Sequence, residues 1–300
     1  MPNPDERSPA VPNETFNPRR CATHDLSMAD RARMAGMERD YLERTAIAEA
    51  DLQVAIPVAF IHVVDGNDGH ITAQQRADQI RIMNDAFAFM GIRFRHDEDQ
   101  NVTLVDNPSF FRMGHGSLRE RNCKSQNQLL APQESLNFYT AAPGGGLLGW
   151  ATFPVDMEGD PDMDGVVMLH STLPGGSMAP YDLGMTAVHE VGHWLGLFHT
   201  FQDGCFGLGD EVDDTPAHDG PNAGKPEDGD QPHNLCSSAP AGSLCPIHNY
   251  MNYVDDDWMN EFTAGQKERV WAQIGMFRAD LLTGTAGEAG FREAGAAVVW

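Results

Sequence analysis

The chain has 300 residues, of which 41% are hydrophobic, and this is enough for one substantial core or for two lobes around a cleft. Its 44 acidic and 20 basic residues give a formal net charge of -24 at pH 7. A charge of this size argues against nucleic acid and anionic membranes as partners, and it favours cationic substrates and bound calcium, although solubility alone also explains it.

The first 50 residues differ in composition from the rest of the chain. Residues 1–20 are rich in Pro, Asn and charged residues and are expected to be extended, whereas Ser27 to Ala50 are rich in Ala, Met, Glu and Arg and predict a helix. The N-terminus lacks the apolar h-region of a secretory signal peptide, and no apolar run approaches the roughly 18 residues of a membrane span. A leader outside this sequence, another export route and an intracellular location all stay open.

Residues 51–196 predict an α/β lobe, since short apolar runs indicate strands and amphipathic stretches indicate helices. In chain order the predicted elements are a strand at 54–64, a helix at 72–90, strands at 92–95, 136–140, 148–153 and 166–170, and a helix at 183–195. Residues 203–244, dominated by Gly, Asp, Pro, Ser and Asn, predict a long loop. A last helix is expected at 263–282, and the Gly- and Ala-rich tail at 283–300 has no assigned role.

The helix predicted at 183–195 leads into the most informative pattern of the chain. Residues 189–199 read HEVGHWLGLFH and fit the pattern H-E-x-x-H-x-x-G-x-x-H. His189 and His193 are four residues apart and share a helix face, so both imidazoles can bind one ion. Gly196 can adopt the left-handed conformation that ends a helix, which allows His199 to return as a third ligand.

Three protein ligands with one open position are typical of a catalytic zinc site. Glu190 follows the first histidine and can reach a water on the ion as a general base. The alternative, a buried amphipathic helix with incidental histidines, requires five specified residues to coincide within eleven positions. We therefore predict metal-assisted peptide hydrolysis, and the presence of Glu190 argues against a non-catalytic zinc-binding module.

These residues and their flanking segments resemble the pappalysin family of metzincin metalloproteases, which includes ulilysin-like archaeal and secreted fungal members. The similarity covers most of residues 165–270, while the N-terminal third matches by the order of its elements. The matching segments are 173–176, 183–202, 209–216, 248–253 and 259–266. The resemblance implies an α/β (α+β) metzincin fold, with a twisted, mostly parallel sheet in an upper lobe at 51–196. It also implies a loop-rich lower lobe at 197–282 that holds a Met-turn and the terminal helix.

The resemblance assigns roles to residues near the metal. Met251 is expected in the Met-turn beneath the ion, and Tyr253 is expected to hydrogen-bond the oxyanion that forms during attack. A core methionine and a packing tyrosine are the alternatives. The strand around Trp150 is expected to form the upper rim of the cleft, where a substrate adds as an extra strand.

Cys21 lies in an Arg-Arg-Cys-Ala-Thr context that resembles the cysteine switch of this family's propeptides, with Ala22 where Gly is more common. A thiolate is a good ligand for zinc and can block its open position. The resemblance implies an inhibitory propeptide at 1–50 that is removed by cleavage between Met34 and Asp51. A free or disulfide-bonded cysteine is the alternative.

The resemblance places Asp257 at the base of the S1′ pocket, where its carboxylate would pair with a substrate arginine. This predicts cleavage on the N-terminal side of Arg and, less readily, of Lys, with a solvated acidic loop as the alternative. A calcium loop of the family also matches, and its oxygen ligands are of the kind that Ca²⁺ prefers, with an acidic turn as the alternative. The matching residues are Asp210, Asp213, Asp214 and Thr215.

Five cysteines leave at least one unpaired within the chain. The resemblance implies a Cys205–Cys236 disulfide, and Cys245 either pairs with Cys123 or stays free, because Trp258 stands where relatives carry a cysteine. Two disulfides would indicate an oxidising compartment, and five free thiols the cytoplasm. The leading interpretation is a secreted, zinc-dependent, calcium-stabilised endopeptidase made as a zymogen, acting on protein or peptide substrates, with an intracellular peptidase as the alternative.

Overall fold

The computed structural model describes residues 21–44, 53–227 and 234–283. Residues 1–20, which were predicted to be extended, and residues 45–52, 228–233 and 284–300 lie outside these ranges. The helices are α1 (Met28–Arg44), α2 (Ala73–Phe87), α3 (Pro108–Phe111), α4 (Leu118–Asn127), α5 (Pro154–Met157), α6 (Met185–Trp194), α7 (Ala264–Phe277) and α8 (Asp280–Thr283). The strands are β1 (Val54–Val64), β2 (Ile92–His96), β3 (Val102–Asp106), β4 (Leu136–Ala141), β5 (Gly149–Ala151), β6 (Val166–Leu169), β7 (Ala223–Gly224) and β8 (Tyr253–Val254). None of the helices in the described ranges is long and apolar enough to cross a membrane.

The upper lobe is built on a six-stranded sheet with the order β2-β1-β4-β6-β5, in which β3 also pairs with β1. The first half of β1 pairs with β2, so that Val54 lies opposite Ile92, and the second half pairs with β3, so that Phe60 lies opposite Val102. All pairs are parallel except β5 with β6. The expected mostly parallel sheet is thus confirmed, with its antiparallel strand at the edge.

Side chains of β1 alternate between two apolar layers, as the two-residue period of a strand requires. Val58 points into a layer that packs α2, α6 and α7 against the sheet, together with Met83 and Val191. Ile61 points into the opposite layer, which contains Phe111. A strand covered on both faces is apolar throughout, which explains the unbroken hydrophobic run of β1. Helix α6 therefore lies in the core, next to β5.

Several elements differ from their predicted form. Helix α1 is described as far as Arg44, and the part of the predicted helix at 45–50 lies outside the described residues. The predicted last helix is divided into α7 and α8 around Arg278. Strand β3 and helix α4 were not predicted. Helix α4 has no apolar stripe, because two of its buried residues, Glu120 and Lys124, form an ion pair at 2.9 Å. Hydrophobic periodicity cannot detect a helix that is held by buried charges.

The lower lobe contains few regular elements and is held by other means. A disulfide joins Cys205 to Cys236 across 31 positions of the loop, with the Cα atoms 5.4 Å apart. Closing a loop of this length stabilises the fold by roughly 3 kcal/mol. Cys123 and Cys245 are both free and buried, so the second disulfide that the sequence left open is not formed.

A buried ion pair joins Asp164, before β6, to Arg278 at the end of α7, and both partners contact the end of α6. Arg278 donates from Nη2 to Asp164 Oδ1 at 2.7 Å and from Nε to the Trp194 carbonyl at 3.1 Å. Trp194 Nε1 donates to Asp164 Oδ2 at 3.0 Å, and the guanidinium carbon lies 3.8 Å from the centre of a Trp194 ring. Asp164 and Arg278 are both fully buried, so each charge depends on the other.

We expect Arg278→Ala to lower the free energy of unfolding by about 3–5 kcal/mol, because it leaves the carboxylate of Asp164 buried without its cation. The measurement is urea denaturation followed by circular dichroism. Arg81→Ala is the matched control, since Arg81 forms its ion pairs with Asp78 and Asp85 on an exposed helix face. Its cost should stay below about 1 kcal/mol. Equal denaturation midpoints for the two variants would contradict the assignment.

Candidate active site

The first two histidines of the pattern lie on one buried face of α6. His189 Nδ1 lies 2.7 Å from the carbonyl oxygen of Tyr250, and His193 Nδ1 lies 2.7 Å from that of Leu197. A carbonyl oxygen only accepts hydrogen bonds, so each ring must carry its proton on Nδ1. The Nε2 atom of each ring is therefore left with a lone pair, which is the form that binds a metal.

Gly196 turns the chain so that the third histidine meets the first two. Its φ is +99°, and its amide donates to the His193 carbonyl at 2.9 Å. A Cβ at this position would lie 2.4 Å from Cγ of Gln273, so both the backbone angle and the packing require glycine. After this turn, His199 Nε2 lies 3.0 Å from His193 Nε2, which itself lies 3.2 Å from His189 Nε2.

This arrangement fits a bound cation. Burial and the neighbouring imidazoles lower the pKa of His193 and of His199 well below the usual value, so the rings are neutral. The Nε2 lone pairs of His189 and His193 face each other at 3.2 Å, and they repel unless a positive ion lies between them. A tetrahedral zinc with bonds of about 2.0–2.1 Å separates its nitrogen ligands by roughly 3.4 Å, close to this distance.

Cys21 completes the group. Its Sγ and the ligand nitrogens of the three histidines all lie within 4.8 Å of one another, and in the described part of the chain no other His, Cys, Asp and Glu residues form such a group. Three nitrogens and one sulfur are a ligand set that suits zinc. The pattern in the sequence therefore leads to one convergent donor set.

Met251 lies directly beneath α6 and is fully buried. A Cβ on Gly192 would lie 2.5 Å from Met251 Sδ, so the thioether occupies the space that this glycine leaves free. The Met251 amide donates to Asn249 Oδ1 at 2.9 Å, and Asn249 exchanges two hydrogen bonds with the side-chain amide of Gln266. The turn that carries Met251 is thus fixed from below by α7.

Glu190 lies beside the histidines and is fully buried. Its Oε2 accepts hydrogen bonds from Thr23 Oγ1 at 3.0 Å and from Cys21 Sγ at 3.4 Å, while its Oε1 has no hydrogen-bond partner among the described residues. Burial raises the pKa of Glu190 to about 8, against the lowering effect of those two hydrogen bonds. Tyr253 Oη lies 3.3 Å from His199 Nε2, so its hydroxyl borders the same centre.

The segment around Cys21 pairs with the edge strand β5. Cys21 forms a parallel bridge with Gly149, and the Ala22 amide donates to the Gly149 carbonyl at 3.0 Å. Thr23 Oγ1 accepts from the Ala151 amide at 2.9 Å while donating to Glu190. The role of Thr23 was not predicted. In an extended chain residues two apart share a face, so its position two residues after Cys21 carried the signal.

Gly149 is a second residue whose role was missed. A Cβ there would lie 2.9 Å from Glu190 Cγ and 2.9 Å from Met168 Cε, so glycine allows β5 to approach α6 closely. Trp150, which was expected to bind substrate, points to the opposite face of the sheet and is 1% exposed. Its Nε1 donates to Glu120 Oε1 at 2.6 Å. Its side chain therefore does not face the cleft, and only its backbone is available for the expected pairing with an added strand.

A small cavity opens next to the histidines. The residues that line it are Leu148, Thr186, His189, Glu190, Asn252, Tyr253, Asp256 and Met259. Two acidic residues line the cavity, Glu190 and Asp256. Asp256 is 1% exposed, and its Oδ2 accepts a hydrogen bond from the Leu183 amide at 2.9 Å. Asp257, the residue expected in this place, is exposed and pairs with Lys225 at 2.5 Å. Successive residues of the 3₁₀ turn at Asp256–Trp258 diverge by about 120°, so only one of the aspartates faces the cavity.

The four residues of the expected calcium loop do not converge on a common point. Asp210 is buried and accepts from Thr215 Oγ1 at 2.6 Å and from the Val212 amide at 3.2 Å. Burial raises its pKa to about 7. Asp214 Oδ2 accepts from the Gly265 amide at 2.9 Å, at the start of α7, and Asp213 is exposed. These carboxylates fix turns of the lower lobe, and calcium binding by the four is not supported.

Comparison with known families identifies related proteins. Residues 152–275 match the model of a peptidase family described as pregnancy-associated plasma protein-A. An extracellular metalloprotease from Coccidioides posadasii is 42% identical over 240 residues, which are 77% of this chain and 82% of the relative. An extracellular metalloprotease from Colletotrichum graminicola is 35% identical over 269 residues, which are 86% of this chain and 90% of the relative.

Solved structures show the same fold. A promirolysin mutant from Tannerella forsythia is similar with a TM-score of 0.74 and 26% identity, over 90% of this chain and 99% of that one. Mature mirolysin from the same organism, in complex with a cleaved peptide, gives a TM-score of 0.68 and 28% identity, over 79% of this chain and 98% of that one. The chain belongs to the pregnancy-associated plasma protein-A (pappalysin) family, and it is a metalloendopeptidase with a metzincin fold.

Proposed function

We propose that this metalloendopeptidase is a secreted zinc enzyme that is latent in its full-length form and cleaves on the N-terminal side of arginine. One observation carries the proposal. The Nε2 atoms of His189, His193 and His199 converge beside the carboxylate of Glu190, at the wall of a cavity that contains a second carboxylate. The names of the fungal relatives support an extracellular location, and so does the disulfide.

The three histidines would hold the metal, and a bound Zn²⁺ supplies a Lewis acid that activates water and polarises the scissile carbonyl. Glu190, beside the histidines, would accept a proton on its carboxylate and pass it to the leaving amine. The hydroxyl of Tyr253, next to His199, is placed to donate to the developing oxyanion. The peptide groups of β5 position the substrate as an added strand.

Latency follows from what residues 21–23 occupy. Cys21 would join the histidines as a fourth ligand in its thiolate form, Thr23 binds the carboxylate of the general base, and the backbone between them covers the edge of β5. One short segment thus takes the metal position, the base and the substrate edge together. This supports a propeptide at 1–50 in front of a catalytic domain at 51–282, divided into lobes at 51–196 and 197–282.

The specificity for arginine rests on Asp256. Its carboxylate is buried in the cavity wall and held by the Leu183 and Met185 amides, so its position is fixed before a ligand binds. A buried carboxylate recognises a guanidinium through charge-assisted hydrogen bonds, and a lysine ammonium matches it with fewer. The net charge of -24 also attracts basic peptides.

Replacing the general base tests catalysis against the alternative of a non-catalytic zinc-binding module. We expect Glu190→Gln to lower kcat of the activated protein by about 100- to 10,000-fold, because the proton acceptor is lost while the histidines stay in place. The measurement is hydrolysis of a peptide library, with zinc content determined by mass spectrometry. Activity of the parent protein should vanish with a zinc chelator and return with added Zn²⁺. An unchanged rate in the variant would exclude Glu190 as the base.

Substitutions at two neighbouring aspartates test whether the preference for arginine depends on Asp256 or on the net charge of the protein. We expect Asp256→Asn to lower kcat/KM for peptides with Arg after the cleaved bond by about 10- to 100-fold, as loss of a charge-assisted hydrogen bond implies. The exposed Asp257→Asn is the control for the same change in net charge and should leave the preference intact. The reverse result would restore Asp257 as the specificity residue.

Latency is tested with two substitutions in the inhibitory segment. We expect the double variant Cys21→Ala, Thr23→Val to hydrolyse a short peptide without prior cleavage of the chain, at a rate about 10-fold or more above the parent, since each lost contact to a charged or metal centre contributes about 1.5–3 kcal/mol. Each single variant should show a smaller increase. Parent protein that is fully active while still intact on a gel would exclude latency.

A further inference from the structure

A second recess that binds a guanidinium lies on the lower lobe, where α1 docks. Arg31 of α1 is 1% exposed. It donates from Nε to Glu211 Oε1 at 2.8 Å, from Nη1 to Asp203 Oδ2 at 2.5 Å and from Nη2 to the Gly209 carbonyl at 2.5 Å. Its guanidinium carbon lies 4.8 Å from the centre of the Phe198 ring. Each nitrogen thus has its own acceptor, and an aromatic ring covers the group.

The two carboxylates of this recess belong to the lower lobe, and each has a contact there besides Arg31. Glu211 Oε2 accepts from Arg269 Nη1 at 3.2 Å, and the Arg269 guanidinium also lies 4.6 Å from the Phe198 ring. Asp203 Oδ2 accepts from the Leu208 amide at 3.2 Å. The disulfide at Cys205 anchors the same turn. Both carboxylates therefore keep their positions by contacts that do not involve Arg31.

The backbone at the two carboxylates is unusual. Asp203 has a φ of 58° and Glu211 a φ of 61°. Within the described ranges, only Asn234 is another non-glycine residue with positive φ. A positive φ costs free energy in a residue other than glycine, and it persists where the surrounding contacts enforce it. Here it brings the two carboxylates to the same guanidinium.

We propose that Phe198, Asp203, Gly209 and Glu211 form an arginine socket outside the metal cleft, and that Arg31 fills it in the full-length chain. This rests on the proposed latency, because the socket holds the helix that follows Cys21 and Thr23. Around Arg31, α1 adds apolar contacts through Met34 and Met37 and an ion pair of Glu38 with Arg269 at 3.1 Å. When α1 leaves, the socket opens to solvent as a binding site for an arginyl side chain of another protein or peptide.

The recognition is specific for a guanidinium and not for positive charge alone. Three different nitrogens of Arg31 reach three acceptors on separate parts of the chain, and a planar group is stacked against Phe198. A lysine ammonium is a single compact charge that cannot meet all three acceptors and the ring at once. Arg31→Lys should therefore behave like Arg31→Ala.

The test uses the full chain and chemical rescue. Arg31→Ala removes the guanidinium group and the two methylene carbons next to it. Ethylguanidinium has the same groups, so when added it should fill the vacated socket. Docking of α1 is read by hydrogen exchange of its amides, and latency is read separately by peptide hydrolysis. We expect Arg31→Ala to speed exchange in α1 by about 10- to 100-fold, and ethylguanidinium to reverse this with saturation. Arg33→Ala, which removes an exposed arginine of the same helix, is the matched control and should have no effect.

Three outcomes would overturn the socket. Exchange in Arg31→Ala could equal that in Arg33→Ala, ethylammonium could rescue as well as ethylguanidinium, or ethylguanidinium could still rescue the double variant Arg31→Ala, Asp203→Asn with undiminished affinity. Failure of the proposed latency gives a different result: α1 loosens and is rescued, yet peptide hydrolysis does not change. The exchange measurement needs no catalysis, so the two proposals are tested independently.

Discussion

To bind one metal ion, three imidazoles have to present their lone pairs to one point inside an apolar core. Much of the surrounding structure holds them in that arrangement. The carbonyl oxygens of Tyr250 and Leu197 fix the tautomers of His189 and His193 from behind. Both carbonyls lie in segments that are themselves held in place. Tyr250 precedes Met251, and Leu197 directly follows Gly196. Because the rings cannot rotate without breaking these hydrogen bonds, the site is organised before any ion binds.

The same constraint explains why small residues surround α6. Gly192 leaves room for Met251 on one side, and Gly149 leaves room for Glu190 on the other. A side chain at either position would push α6 away from the turn or from β5. The polar residues of the helix can then lie close to both lobes, while the Asp164–Arg278 pair holds its C-terminal end. Close packing, rather than flexible loops, therefore sets the geometry of the histidines.

The sequence predicts the parts of this protein that depend on local pattern. Strand β1 follows from its continuous apolar run, and the metal-binding residues follow from the spacing around Gly196. Contacts between distant segments escape such reasoning, as Thr23 shows, since its partner Glu190 lies 167 residues away. Three consecutive aspartates could not reveal which one faces the cavity, because that choice depends on the direction of a 3₁₀ turn.

Residues 21–23 add to the edge of β5, where we propose that a substrate binds, yet the atoms that reach Glu190 are not those of a scissile bond. Cys21 Sγ and Thr23 Oγ1 face Glu190, so two side chains stand where a substrate would present its peptide carbonyl. A thiol and a hydroxyl offer no acyl carbon for water to attack. Glu190 is also occupied as an acceptor. Under the proposed latency, the segment therefore pairs with the substrate edge without being hydrolysed, and its release depends on the contacts of α1.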